Sequence, residues 1–223
     1  MTKGMLNILL ELWLDKIGSP QAMKQETGNR KETGGQGYRE VFREAKRPII
    51  AVCRTKIEHG TFEGSEHERV QRLEQAIEAG AKFVDIGIHT NPSLIKKLQK
   101  ICCKKRATLI ISKHFWNSTP SLRDLMKTYQ RAKKLGAHKE RQPIVKIATH
   151  IKYWSDNIIL FEFTRRMKAT GKNVIVVGMG ERGKISRIGC PLLGSYLTYA
   201  ALDRRSRTAE GQMTFREMRL LSC

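Results

Sequence analysis

Lys146 stands in the middle of an apolar run, Pro143-Ile-Val-Lys-Ile-Ala-Thr-His150. Strand side chains alternate between faces, so Lys146, Ala148 and His150 share one face and Val145, Ile147 and Thr149 the other. Burial disfavours the charged form of a lysine and leaves a neutral amine, which is a nucleophile toward carbonyl carbon. The competing reading is a strand-end lysine that snorkels to water. His114 changes the balance. It follows Thr108-Leu-Ile-Ile-Ser-Lys at the exit of the run, on the face of Ser112. A lone histidine is more often a structural hydrogen-bonder. Beside a strand-embedded lysine at a neighbouring strand exit, it supplies a general acid and base for carbonyl chemistry. Arg54, Glu58, Asp85, His150, Arg187 and Gln212 are further polar residues expected at strand ends.

A second motif is Gly178-Met-Gly180-Glu-Arg-Gly183, with Asp203 downstream. Its spacing is that of a dinucleotide fingerprint. Its late position, the short stretch before Gly189-Cys-Pro191, and the lack of a clean second strand before Asp203 argue against that use. A glycine-rich loop after a late barrel strand is the better reading.

The elements that must hold these groups alternate. Strands are expected over Leu6–Leu14, Pro48–Arg54, Phe83–Ile88, Thr108–Ser112, Pro143–His150, Asn173–Val177 and Leu193–Ala200. Continuous apolar runs such as Pro48–Arg54 mark strands covered on both faces. A helix opens on a capping box, Ser65 with Glu68, carries Val70, Leu73, Ala76 and Ile77, and stops at Gly80. Pro92–Cys103 is the next helix. Thr119-Pro120 opens another, with proline at its first position and a stripe of Leu122, Leu125, Met126, Tyr129 and Ala132. Ser155 caps a helix carrying Leu160, Phe163 and Met167, closed by Gly171. Tyr38–Ala45 is a possible helix at the end of the polar, glycine-containing stretch Lys16–Ala45. Strands that alternate with helices at roughly 20–36 residues imply a parallel sheet with helical crossovers. A (βα)8 barrel needs eight strands, whereas a doubly wound sheet accepts fewer.

The chain has 223 residues, 40% hydrophobic and 28% charged, enough for one large α/β domain or two small ones. No run is long and apolar enough for a membrane-spanning helix. Met5–Leu14 holds Glu11 and lacks a small-residue cleavage site, so it is not read as a signal peptide. Cys53, Cys102, Cys103, Cys190 and Cys223 show no CxxC spacing and no partnered histidine, which suggests a reducing compartment with thiols as small core residues. The net charge of +21 is attractive to polyanions. The positive residues are spread along the chain, and no basic strand carries the aromatic residues that stack bases, so nucleic acid is not the expected partner.

These residues resemble the type I 3-dehydroquinate dehydratases. The resemblance runs from about Leu9 to Leu221. It rests on collinear motifs: Leu10-Glu-Leu-Trp-Leu-Asp15, Arg47-Pro-Ile-Ile-Ala-Val-Cys-Arg54, Phe83-Val-Asp-Ile86, Ser112-Lys-His114 with Thr119-Pro120, Val145-Lys-Ile-Ala148, Gly178-Met-Gly180 with Ile185-Ser-Arg187, Gly194-Ser195 and Gly211-Gln212. The resemblance implies an α/β fold of the (βα)8 TIM-barrel type, one barrel domain over 1–223, a homodimer and a cytoplasmic location. The implied reaction is loss of water from 3-dehydroquinate in the shikimate pathway. Lys146 would form an imine with the substrate ketone, His114 would move the protons and Glu58 would orient His114. Arg187 would pair with the substrate carboxylate, as a planar fork suits. Glu11, Arg54, Thr208 and Gln212 would bind the rest of the substrate, with Thr208 where serine is usual. No metal or diffusible cofactor is implied.

The sequence also departs from the family pattern. It begins at what resembles the second strand, which implies a barrel incomplete or divergent at its N-terminus, with unpaired edges. Trp13 stands where an arginine is usual, Gly87 where an acidic residue is usual, Phe115 where aspartate is usual, and His59-Gly60 where a glycine pair is usual. A catalytically impaired barrel acting as a binding or interaction protein is therefore the alternative to a working lyase.

Overall fold

The structure, a computed structural model, describes residues 10–16, 42, 44, 45 and 47–221. Short apolar runs become strands here because both of their faces are covered. Strand β1 is Leu10–Trp13, β2 is Ile49–Val52 and β3 is Phe83–Gly87. Strand β4 is Thr108–Phe115, β5 is Ile144–His150 and β6 is Val174–Met179. Every residue of β2 and β6 is buried. Sheet order follows chain order, β1-β2-β3-β4-β5-β6, and the pairs β1–β2, β2–β3 and β5–β6 are parallel. A doubly wound sheet reverses its order at a switch point, and this one does not, so the (βα)8 type is the one that fits. Six strands are present among the described residues, against the eight of a closed barrel.

The chain divides into two compact units, 1–110 with 135–143, and 111–134 with 144–223. In the first, helix α1 (Glu66–Glu78) opens on the expected capping box. The Ser65 hydroxyl accepts from the Glu68 amide, and the Glu68 carboxylate accepts from the Ser65 amide. Its buried stripe is Val70, Leu73, Ala76 and Ile77, joined by Arg69. Gly80 then takes φ +114, a conformation open to glycine. Helix α2 (Pro92–Lys104) starts with proline in its first turn, and Asn91 Oδ1 accepts from the Ser93 amide.

The second unit holds α3 (Leu122–Leu135), β5, α4 (Asp156–Ala169), β6, α5 (Lys184–Leu192) and α6 (Phe215–Leu221). Three expectations are corrected here. Pro120 lies ahead of α3, because Ser121 is the capping residue: its hydroxyl accepts from the Asp124 amide at 3.2 Å. Ser155 precedes α4 but makes no side-chain cap, and Asp156 instead accepts from the Lys152 and Tyr153 amides at 2.8 and 2.9 Å. Residues 193–200 form no strand. Gly194 turns the chain at φ +106; the Tyr196 amide donates to the Val174 carbonyl at 2.7 Å, and the Ser195 hydroxyl accepts from the buried Val176 amide, so a side chain takes one place in the pairing beside β6. The first residues of the strand expected over Leu6–Leu14, and nearly all of Lys16–Ala45 with its possible helix, lie outside the described residues. No helix among the described residues is long and apolar enough to cross a membrane.

Candidate active site

In the first unit the polar residues gather beyond β2 and β3. Arg54 follows β2 and is buried, and its Nη2 lies 2.8 Å from Asp85 Oδ2 on β3. A buried guanidinium is tolerated where a carboxylate meets it with good geometry. Its Nη1 reaches Glu58 Oε1 at 3.4 Å. Glu58 closes a single 3-10 turn, Lys56–Glu58, and His59 leaves that turn in the left-handed region. On its other side Glu58 Oε2 lies 3.8 Å from Arg69 Nη1. Glu58 thus stands between two buried guanidinium groups. Arg69 carries no motif that spacing announces; its place on the apolar stripe of α1, beside Val70 and Leu73, is the available signal.

Gly87 has a steric reason at this point. A Cβ built there would overlap Glu58 Oε1. The position where the family pattern carries an acidic side chain is, in this chain, the room that the Glu58 carboxylate occupies. Trp13, which stands where that pattern has arginine, donates its indole N–H to Glu11 Oε1 at 2.7 Å. The loop after β2 is tied down by Asp15, which accepts from the Arg54 amide at 3.1 Å and the Thr61 amide at 2.9 Å.

In the second unit Lys146 lies within β5, 6% exposed, with Ile175 of β6 as its register partner. Its Nζ is 4.1 Å from the centre of the Tyr199 ring. The Tyr199 carbonyl accepts from Arg187 Nη1 at 3.4 Å. Arg187, on α5, is only 1% exposed, and burial lowers its pKa to about 10. Among the described residues it makes no ion pair with a carboxylate, and its Nε has no hydrogen-bond partner. Tyr199 is a site residue that the sequence did not reveal, because it lies in an irregular segment with no periodicity to read.

His114 lies inside β4, whose end extends past the expected Ser112 to Phe115. Its ring stacks on that of Trp116, with centroids 4.9 Å apart and planes 10° from parallel. Thr208 and Gln212 meet. The buried Gln212 offers Oε1 to the Thr208 amide at 2.8 Å and to its hydroxyl at 3.2 Å. That leaves the Gln212 amide nitrogen as the donor for a ligand oxygen. The loop before it docks through Gly211, at φ +69, where any Cβ would overlap the Gly180 carbonyl.

The Gly178–Gly183 motif does not form a phosphate cradle. Such a cradle needs free amides. Here the Gly178 amide donates to Ser186 Oγ at 3.0 Å, Gly180 to the Glu210 carbonyl at 3.1 Å and Gly183 to the Gly180 carbonyl at 2.9 Å. These glycines serve close packing of α5 and the 210–212 loop against the end of β6.

Solved structures place the fold. A type I 3-dehydroquinate dehydratase from Clostridium difficile, crystallised with covalently modified comenic acid, superposes with a TM-score of 0.77 at 22% identity, over 96% of this chain and 79% of that one. The 3-dehydroquinate dehydratase of Geobacillus kaustophilus gives a TM-score of 0.73 at 23% identity, over 85% and 71%. The class is therefore an α/β protein of the (βα)8 TIM-barrel type.

The family model described as type I 3-dehydroquinase matches residues 9–221. A 3-dehydroquinate dehydratase of Dehalococcoides mccartyi is 38% identical over 184 residues, 82% of this chain and 78% of the relative. A chloroplastic bifunctional 3-dehydroquinate dehydratase/shikimate dehydrogenase of Arabidopsis thaliana is 33% identical over 80% of this chain and 28% of its own. The chain belongs to the type I 3-dehydroquinases.

Proposed function

We propose that this chain is a 3-dehydroquinate dehydratase, a hydro-lyase of the shikimate route to aromatic amino acids. Its family membership and its relatives' activity support that reading. One observation carries it in the structure: a lysine buried in β5 and a buried arginine without a carboxylate partner meet the same residue, Tyr199.

The Lys146 amine adds to the substrate ketone, the adduct takes a proton from solvent, and water leaves to give a protonated imine. That cation is an electron sink, so the neighbouring C–H becomes acidic. His114 takes the proton, and the electron pair moves into an enamine. His114 then protonates the departing hydroxyl, and hydrolysis of the imine releases 3-dehydroshikimate and restores Lys146. Glu58 orients His114 and holds its protonation state. Arg187 pairs with the substrate carboxylate through its fork, while Glu11, Arg54, Thr208 and Gln212 bind the remaining oxygens. The reaction asks for no metal and no diffusible cofactor.

The reading takes 1–223 as one functional domain, a homodimer in the cytoplasm, without a nucleic-acid partner. The exposed Tyr153, Trp154 and Ile158 at the start of α4 support self-association. The free cysteines support a reducing compartment. A second reading, an impaired barrel used for binding, draws on one observation: Trp13 occupies an oxygen of Glu11 that substrate would use.

Incubation with 3-dehydroquinate and borohydride tests the choice. Reduction freezes an imine as a stable amine, and mass spectrometry is expected to map the adduct to Lys146. Folded protein that yields no adduct overturns the lyase reading and leaves the binding one.

A further inference from the structure

Outside the residues used above, one group of side chains has the chemistry of metal ligands. Cys103, in the last turn of α2, meets His138 and Glu140 on the segment between α3 and β5. A thiol sulfur, an imidazole nitrogen and a carboxylate oxygen all lie within 4.8 Å of one another. All three residues belong to the first unit. Cys103 Sγ is 3.3 Å from His138 Nδ1. The expectation that the cysteines lack a histidine partner is corrected here: 35 residues of chain separate this pair, so no local spacing announces it.

The neighbours hold the group in place. Gln99 Nε2 donates to the Arg141 carbonyl at 2.6 Å and reaches Cys103 Sγ at 3.6 Å. Arg141 Nη1 donates to Thr108 Oγ1 at 3.3 Å, and Gln142 Nε2 to the His138 carbonyl at 2.5 Å. The Glu140 amide points at His138 Nδ1 from 3.3 Å, so that nitrogen presents its lone pair and the ring proton sits on Nε2. This is the tautomer that coordinates a metal through Nδ1. Cys103 and His138 are half-buried and Glu140 is exposed, which leaves an entry path from solvent.

We propose that Cys103, His138 and Glu140 form a three-ligand site for zinc(II), with water as the fourth ligand. The donor set decides the class of ion. Thiolate and imidazole suit a borderline cation and not magnesium or calcium, which take oxygen. On binding, the Cys103 S–H bond breaks, a sulfur–zinc bond forms and the proton passes to water, with no change of oxidation state. The thiolate and the Glu140 carboxylate cancel the charge of the dication, so the filled site is neutral beside Arg141. Bonds of about 2.0–2.3 Å draw the three donors slightly closer, and the exposed Glu140 side chain is free to rotate inward. The ion would clip the end of α2 to the 138–142 segment. It takes no part in imine chemistry, so this proposal stands apart from the dehydratase reading.

The test uses the full-length, thiol-reduced protein. Zinc binding is measured by equilibrium dialysis against a competing chromophoric chelator, and cobalt(II) serves as a spectroscopic stand-in. The expected result is stoichiometric zinc and a thiolate-to-cobalt charge-transfer band. Cys103→Ser and His138→Ala should each weaken binding by more than about tenfold and remove or reshape the band, since even an outer-shell change costs about that much. Glu140→Gln, at an exposed position, should weaken zinc while far-UV circular dichroism stays unchanged. Absence of stoichiometric zinc in the parent, or binding that is the same in Cys103→Ser as in the parent, overturns the site. Borohydride trapping at Lys146, run in parallel, is expected to be equal in parent and variants and so separates this proposal from the reaction.

Discussion

The amine of Lys146 faces the ring of Tyr199 at 4.1 Å, and the main chain of the same tyrosine accepts from Arg187. One residue from an irregular segment therefore fixes the surroundings of both the proposed nucleophile and the proposed carboxylate anchor. The ring face attracts a cation, and in the proposed reaction the protonated imine is the cation that forms at this nitrogen. Such a contact is worth about 1–2 kcal/mol when water is excluded. Tyr199→Ala should slow borohydride-trapped imine formation by about tenfold, since ~1.4 kcal/mol is tenfold in rate. Tyr199→Phe keeps the ring and should stay close to the parent. Equal rates in Tyr199→Ala and the parent would remove the ring from the mechanism.

Arg187 should cost stability in the absence of ligand. Burial lowers its folded-state pKa to about 10, below its value in the unfolded chain. Below about pH 10 the group is charged in both folded and unfolded protein, so the penalty stands in full. Above about pH 10 the folded protein sheds the proton first, and the penalty is relieved as pH rises toward the unfolded value. At neutral pH the penalty is therefore complete, on the order of 3 kcal/mol. Arg187→Met, which keeps an unbranched stem without the charge, should raise the urea midpoint of the free protein. It should also abolish the stabilisation that 3-dehydroquinate gives the parent. A variant that is destabilised and still stabilised by substrate would place the carboxylate elsewhere.

Much of this was legible in the chain itself, for a physical reason. Lys146, Arg54 and Asp85 lie on or next to short apolar runs, and such runs have one stable use, a covered strand. The capping box at Ser65 is local, so spacing alone reveals it. The misses share a different property. Arg69, Tyr199 and the Cys103–His138 contact depend on where distant segments meet, and no periodicity encodes that. The strand expected over 193–200 failed because an apolar run signals burial, not ladder pairing: Ser195 and Gly194 use the space beside β6 for a turn. The glycines of 178–183 match a phosphate motif by spacing, yet their amides are already bonded within the protein.

Gly87 is a position where the smallest addition should disturb the largest part of the site. Any Cβ overlaps Glu58 Oε1, so Gly87→Ala must push the carboxylate off its contacts with Arg54 and Arg69. Misplacing a catalytic group by about 1 Å costs about a hundredfold in rate. Gly87→Ala should therefore lower kcat by ~10–100-fold, leave the far-UV circular dichroism of the parent and move the acid limb of the pH–rate profile if Glu58 governs His114. An unchanged pH profile with parental kcat would show that Glu58 takes no part.

Ser195 offers the sharpest stability test, because its hydroxyl takes the place of a ladder acceptor beside β6. It accepts from the buried Val176 amide at 3.0 Å and donates to the Leu197 carbonyl at 3.0 Å. Val176 lies in the middle of β6, where every residue is buried, so no water can replace the lost acceptor. A buried donor left unsatisfied costs about 1–3 kcal/mol. Ser195→Ala should lower the unfolding free energy by that amount in urea titration, while Ser195→Thr, which keeps the hydroxyl, should lose less. Hydrogen exchange at the Val176 amide gives the residue-level readout: exchange should quicken in Ser195→Ala and stay near the parent in Ser195→Thr. Loss of stability without faster exchange at Val176 would mean that the hydroxyl acts through the 193–200 turn instead of through β6.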